Sequence, residues 1–216
     1  MRKNMLRASS QRAVLIGADT SGASQNLSFD ITGLTLSGRF CIVFCACDSL
    51  SGEFTTPSGF TSVHYSGANL TVTRLYTKVL DGTETTISVL GDEAGQDSAG
   101  IAMVFRGVDD PGDVSTGDIT FASGSSGAPN PPASNAIATQ KDILLILGSQ
   151  DDTIGGMTSP AGYSLIGEAE WDGGGGNGIQ VIAAYAIGLN GIVNPDSFTS
   201  AGSDNWHAYT VFLAQT

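Results

Sequence analysis

Apolar residues along this chain alternate with polar ones or come in short runs, separated by stretches rich in turn-forming residues. The segment NLSFDITGL alternates Leu27, Phe29 and Ile31 with polar residues, and RFCIVFCACD (39–48) is apolar at successive positions. Short apolar runs bounded by Gly, Pro, Asn, Asp and Ser are typical of β-strands, and the spacing of an amphipathic helix is almost absent. The pattern therefore predicts an all-β fold.

The order of the segments repeats along the chain. DILLILGSQD (142–151) matches RFCIVFCACD at an offset of 103 residues, and TSPAGYSLI (158–166) matches TTPSGFTSV (55–63) at the same offset. Proline fixes φ and glycine accepts positive φ, so Pro-x-Gly before an aromatic residue indicates a turn that leads into a strand. Its recurrence favours a structural corner over a ligand-binding loop.

Two further segments extend the repeat. GIQVIAAYAIGL (178–189) matches NLTVTRLYTKVL (69–80) at an offset of 109, which aligns Tyr185 with Tyr76. NWHAYTVFLAQ (205–215) matches SAGIAMVFRGV (98–108), with Val211 and Phe212 on Val104 and Phe105. The chain is therefore interpreted as an internal duplication.

The duplication predicts a first half at residues 25–108, a connection at 109–132 and a second half at 133–216. Halves of this size bury their apolar faces poorly alone. We therefore expect one antiparallel, jelly-roll-like β-sandwich whose halves are related by a pseudo-twofold axis, with two tandem sandwiches as the alternative. Residues 1–24 precede the repeat and are predicted to form an N-terminal arm.

Charge is distributed unevenly along the 216 residues, whose net charge is −12. Residues 1–12 contain no acid and hold four of the nine cationic residues, Arg2, Lys3, Arg7 and Arg12. Such a segment is either solvated or an arm that contacts an acidic partner. The remainder carries five Lys or Arg against 21 acids, which argues against nucleic-acid binding.

Cys41, Cys45 and Cys47 share one predicted strand. With period two, all three point to the same face, where neither their spacing nor their direction suits a disulfide. They are interpreted as small core residues, consistent with assembly in a reducing cytoplasm. No metal site, cofactor, signal peptide or membrane span is predicted from the sequence.

Candidate chemistry in the sequence is sparse. His64 and His207 lack the neighbours of a catalytic triad and are interpreted as structural histidines, so no catalytic residue is predicted. Trp171 stands beside the glycine-rich loop WDGGGGNG and could be exposed. Together with Tyr163 and Asp172, it forms the predicted surface for a possible ligand. The acidic clusters are interpreted as solvated loop tips, since none has the spacing of a calcium-binding EF-hand loop.

The order of these motifs resembles a family of jelly-roll-like structural proteins of tailed-phage virions, with internally duplicated halves. The resemblance covers about residues 25–216 and includes no catalytic motif. It rests on the following pieces: FTTPSGFTSV, RLYTKVLDGTETTISV, IAMVFRGVDDPGD, SGSSGAPNPPASNAIATQKDILLIL, MTSPAGYSLI and WHAYTVFLA.

The resemblance implies a non-enzymatic protein that is assembled in the host cytoplasm and carried on the virion. Its expected role is capsid decoration or another accessory function on the head surface, as a homo-oligomer and specifically a trimer. Capsid or tail proteins are its expected partners, with the basic arm lying on the particle. The alternative is a tail-tip or fibre module that binds host-surface carbohydrate. A third hypothesis is a glycan hydrolase, which would need two acids about 5–10 Å apart in a cleft.

Overall fold

The chain folds into twelve β-strands, and the computed structural model describes residues 12–49, 53–68, 71–92, 95–108, 118–151, 155–174 and 178–215. Within these ranges there is no α-helix, and hence no helix long and apolar enough to cross a membrane. The strands are β1 (Val14–Ala23), β2 (Leu27–Asp30), β3 (Phe40–Asp48), β4 (Thr61–Ala68), β5 (Thr71–Val79), β6 (Thr86–Val89), β7 (Ser98–Arg106), β8 (Ile119–Gly124), β9 (Ile143–Asp151), β10 (Ser164–Trp171), β11 (Ile179–Ile187) and β12 (Trp206–Leu213).

The strands form two five-stranded antiparallel sheets, one from each half of the chain. The first has the order β4-β5-β3-β7-β1 and the second has the matching order β10-β11-β9-β12-β8. A smaller two-stranded sheet, β2-β6, lies outside the first. The predicted all-β sandwich with two similar halves is confirmed.

The central strands are apolar on both faces because both faces are covered. In β3, Phe44 points into the core between the sheets, while Val43 points outward beneath the β2-β6 pair. In β9, Leu147 belongs to the same inner core and Ile146 packs outward beneath Phe198 and its neighbours. The continuous apolar runs read from the sequence therefore correspond to fully buried strands.

The sheets stack with their strand ends aligned. A backbone bridge joins Val108, after β7, to Gln215, after β12, so both strands finish at one end of the sandwich. We call this the entry end because β1 begins there, at Val14 paired with Arg106. At the opposite end, the far end, the amide of Gly173 donates a 2.7 Å hydrogen bond to the Asp97 carboxylate of the other half.

The predicted alignment of the two tyrosines is wrong by one residue. Val43 pairs with Tyr76, and its counterpart Ile146 pairs with Ala184, so the structural offset is 108 and Tyr76 corresponds to Ala184. Tyr76 is buried on the outer face, while Tyr185 packs against the inner core. A shift of one residue moves every side chain of a strand to the opposite face. The face on which each tyrosine is buried therefore shows that Tyr76 aligns with Ala184 and not with Tyr185.

The same correction applies to the last strand of each half. Phe40 pairs with Phe105, and its counterpart Ile143 pairs with Leu213, so Phe105 corresponds to Leu213 and not to Phe212. Phe105 and Leu213 both belong to the inner core, as corresponding positions should.

The boundaries of the repeat also differ from the prediction. Strand β1 lies within the segment predicted as an arm (1–24), and β8 lies within the predicted connection (109–132). The two strands occupy equivalent edges of their sheets, so each half begins with one of them. Their Gly, Ser and Thr content imitates a loop, because an edge strand pairs on one side and needs little apolar surface.

Candidate functional site

The predicted arm reaches the described structure only at Arg12, which is exposed just before β1. Arg2, Lys3 and Arg7 lie outside the described residues. Since β1 starts at the entry end, Arg12 stands at that end of the sandwich.

The entry end combines cationic and aliphatic side chains. Of the six Lys and Arg residues in the described ranges, Arg74 alone lies away from this end. Six of the nine exposed large apolar residues also lie at or near it. The five cations are Arg12, Arg39, Lys78, Arg106 and Lys141, and the apolar residues are Leu36, Val79, Ile137, Leu165, Ile187 and Ile192.

Ile137 and Ile192 are the most exposed of these apolar residues, at 70% and 67%. They flank the antiparallel bridge between Ala138 and Gly191, which places them directly opposite each other. Cross-strand neighbours share one face, so the two side chains form one apolar patch.

The described acids at the entry end include Asp81, Glu84, Asp118 and Asp142, and side-chain contacts within the fold hold Glu84 and Asp142. Asp142 accepts hydrogen bonds from Thr139 and from the Gln215 amide, and Glu84 pairs with Lys78 at 2.8 Å. The far half of the sandwich carries nine of the described acids: Asp48, Glu53, Asp92, Asp97, Asp151, Glu168, Glu170, Asp172 and Asp204. The molecule is therefore electrically asymmetric along its strands.

The three residues predicted to contact a ligand do not form one site. Tyr163 precedes β10 and Trp171 ends it, so they stand about 26 Å apart at the usual ~3.3 Å rise per residue. Trp171 is 38% exposed at the far end. Asp172 is exposed and accepts a 2.8 Å hydrogen bond from the Gly174 amide, which is local turn chemistry.

The first Pro-x-Gly turn is held by an ion pair. Gly59 has a φ of +77°, and a Cβ there would lie 3.1 Å from the ammonium of Lys78. Lys78 pairs with Glu84 and lies 5.7 Å from the centre of the Phe60 ring. Burial alone would raise the pKa of Glu84, but Lys78 and the amides of Asp81 and Gly82 lower it to about 2.

The second Pro-x-Gly turn lacks this clamp. The position equivalent to Lys78 is Ala186, and Tyr163 packs into a small outer cluster instead. The Tyr163 hydroxyl has no hydrogen-bond partner among the described residues. Burial and the nearby charge of Asp196 raise its pKa to about 12. The turn thus recurs as backbone geometry, with different side chains holding it.

The two histidines of the chain lie in one cluster between the sheets. The ring of His64 on β4 packs against the rings of Phe121 on β8 and Tyr209 on β12. The distances between the ring centroids are 5.3 Å and 5.2 Å. Phe121 also contacts His207 at 5.2 Å. Burial lowers the pKa of His64. Sequence reasoning treated the histidines separately because they belong to different halves.

Thr73 supplies the polar centre of this cluster. Its hydroxyl lies 2.9 Å from Nδ1 of His207 and hydrogen-bonds the hydroxyl of Tyr209. His207 and Tyr209 are fully buried, and burial raises the pKa of the Tyr209 phenol. The groups satisfy one another between packed rings, which is the arrangement of a buried structural network.

The three cysteines point to one face of β3, as predicted, and this is the outer face of the sheet. All three are buried beneath the β2-β6 pair, and none of them forms a disulfide. Burial raises the pKa of Cys41 to about 12 and that of Cys45 well above its usual value. Both thiols are therefore poor nucleophiles in the folded protein.

A cleft with two acids, as the hydrolase hypothesis requires, lies on β10. Glu168 and Glu170 point to the same face, about 7 Å apart along the strand, and line a cleft of about 220 Å³. Most glycosidases hold their two carboxylates on opposite sides of the scissile bond. Two carboxylates from one strand approach a bound sugar from the same side, which suits binding better than hydrolysis.

Within the described ranges, no three His, Cys, Asp or Glu side chains are grouped to hold a metal ion. No protein-family model matches the chain, and comparison with curated proteins and with solved structures gives no match either. The resemblance to phage virion proteins therefore stays a prediction drawn from the motifs.

Proposed function

We propose that this chain is a non-enzymatic structural protein of a tailed-phage virion that attaches to the particle through its entry end. In this proposal it is a capsid decoration or head-surface accessory protein. The observation that carries the proposal is the polarity of the sandwich, in which exposed aliphatic and cationic groups gather where the chain enters.

Attachment through this end follows from ordinary interface physics. An exposed apolar patch with polar surroundings marks a contact surface, and cations steer it onto an acidic partner. Ile137 and Ile192 supply the patch, and the exposed Arg12, Arg106 and Lys141 supply the charge. The basic residues 1–11 continue the chain from this same end.

The remainder of the molecule favours a structural rather than a reactive role. Its two largest buried clusters are continuous and apolar, and His207 and Tyr209 both bond Thr73 between the sheets. The alternative carbohydrate site at Trp171, Tyr163 and Asp172 gains no support, because those residues are spread along β10.

The proposal is tested with particles that are assembled without this chain and then incubated with purified protein. Occupancy is measured by co-sedimentation, and the position is read from a cryo-EM reconstruction. Deletion of residues 1–12 and the double variant Ile137→Asp/Ile192→Asp should each reduce occupancy about tenfold or more, as expected for central interface residues.

The matched control is Tyr65→Asp/Leu90→Asp, which changes two exposed apolar residues away from the entry end and should bind as the wild type does. Equal occupancy of all variants would refute attachment through the entry end. Density on the tail rather than the head would replace decoration with the tail-tip or fibre role. The expected trimer is checked by light scattering of the free protein.

A further inference from the structure

The outer face of the second sheet carries a polar cleft near the far end. Glu168, Ala169 and Glu170 of β10 and Gln180 of β11 line it, and its volume is about 220 Å³. This is below the roughly 300–1,000 Å³ of pockets for drug-sized ligands, so it suits a group as small as one sugar ring.

Gln180 is the unusual residue of the cleft. Its side chain is 98% buried, since only 2% of the residue is exposed, yet its Nε2 has no hydrogen-bond partner among the described residues. Its cross-strand partner is Gln150, whose Oε1 also lacks one. A buried N–H donor that lines a cleft without a partner costs stability unless a ligand in the cleft accepts from it.

The two glutamates add acceptors at the rim. Glu170 lies opposite Gln180 in the backbone register of β10 and β11, and Glu168 lies two residues away on the same face. Both are exposed, and neither takes part in the two ion pairs found in the described ranges. The cleft thus presents carboxylate oxygens above a buried amide N–H group.

The fold itself does not require these polar groups. In the first half, the position equivalent to Gln180 is Val72, which is buried in the outer apolar cluster. Tyr65 and Gly67 stand where the second half has Glu168 and Glu170. The same architecture is therefore built with an apolar side chain at this position. Folding alone does not explain the buried amide of Gln180.

We propose that this cleft binds a polyhydroxylated ligand, namely a saccharide unit. A hydroxyl group can accept from Nε2 of Gln180 while donating to the carboxylate of Glu168 or Glu170. A cation would pair with the glutamates but would leave the amide donor unsatisfied. The site lies away from the entry end and uses none of the attachment residues, so it stands or falls separately from the proposed attachment.

The test is titration of the full chain with a panel of single sugars: glucose, galactose, mannose, N-acetylglucosamine and rhamnose. Binding is followed by calorimetry and by the side-chain amide signals of glutamines in ¹H–¹⁵N NMR spectra. At least one sugar should bind and shift the Gln180 amide signal, which requires no variant. Gln180→Val, which reproduces the first half, should weaken that binding about tenfold or more while the protein still folds.

Glu168→Gln/Glu170→Gln should weaken binding similarly, and the far-end control Glu53→Gln should leave it unchanged. A panel in which no sugar binds overturns the proposal, as does binding that Gln180→Val leaves intact. Calcium chloride is titrated alone as a separate arm. Stoichiometric calcium binding that depends on Glu168 and Glu170, without sugar binding, would make the cleft a cation site and also overturn the proposal.

Discussion

The imidazole of His64 in the first half contacts the phenyl ring of Phe121 in the second, with ring centroids 5.3 Å apart. The pseudo-equivalent pair is Gly167 and Thr20, where a Cβ on the glycine would lie 3.0 Å from a methyl group. Aromatic rings thus fill the side of the sandwich where β4 meets β8. On the side where β10 meets β1, a glycine allows the two edge strands to approach closely. The equivalent contacts between edge strands therefore differ between the two sides of the sandwich.

Acid should destabilise the ring-filled side first. Burial lowers the folded-state pKa of His64, so the unfolded chain takes up the proton more readily, and stability falls as pH drops below about 6.5. Its ring contacts Tyr209 of β12 and the uncharged Phe121 of β8, and His207 also contacts Phe121 within the same cluster. His64→Leu should flatten the dependence of Tm on pH between 7 and 5, measured by circular dichroism. If Tm of His64→Leu falls with pH as steeply as that of the wild type, a group other than His64 causes the acid sensitivity.

Removing the Thr73 hydroxyl should cost about 1–3 kcal/mol, because a buried hydrogen bond to His207 and one to Tyr209 are lost. The substitution Thr73→Val copies Val181, its buried equivalent in the second half, so shape is preserved. Urea unfolding measures the change. The control Thr61→Val alters an exposed threonine at the start of β4 and should change the free energy of unfolding little. A neutral Thr73→Val would mean that the network contributes no net stability.

The Lys78–Glu84 pair should stabilise the fold over a defined pH range. The folded pKa of Glu84 is about 2, below its ordinary value of 4.5, so its contribution is complete above about pH 4.5 and is lost as pH falls towards 2. Glu84→Gln should therefore lower stability at pH 7 by about 1 kcal/mol, with the difference shrinking in acid. A difference that is constant down to pH 2.5 would contradict this assignment.

Substitution of Gly22 should disturb the contact between β1 and β10. A Cβ at this position would clash with the carbonyl oxygen of Glu170, and overpacking of this kind costs about 1–3 kcal/mol. Gly167→Ala should cost less, because its obstacle is a Thr20 methyl group, and Thr20→Ser should rescue it. The Tm values of the wild type, Gly22→Ala, Gly167→Ala and Gly167→Ala/Thr20→Ser test this ranking of the costs. Failure of Thr20→Ser to rescue Gly167→Ala would locate the strain elsewhere.

The three cysteines should resist thiol reagents in the folded protein. Burial raises the pKa of Cys41 and Cys45, which suppresses the reactive thiolate, and the β2-β6 pair covers them. Ellman's reagent should label none at pH 8 within minutes and all three in guanidinium chloride. Rapid native labelling of one thiol would show local opening of the outer pair.

The sequence pattern was sufficient for the fold class and the duplication, because two-faced apolar strands are distinctive. It failed by one residue in the repeat alignment, since Tyr76 and Tyr185 look alike as letters and differ only in the face they occupy. Edge strands β1 and β8 were missed because pairing on one side leaves them polar. The histidine cluster and the Gln180 cleft could not be foreseen, because each depends on how strands from distant segments are paired.

Because each half supplies a whole sheet, the molecule has the form of a symmetric dimer whose two chains have been joined. A symmetric dimer interface must repeat every substitution on both sides of its axis. Joining the chains removes that obligation, so one copy of a site can change while its twin continues to support the fold. Val72 and Gln180 illustrate this freedom: the first packs in an apolar cluster, and the second places a polar amide at the equivalent buried position.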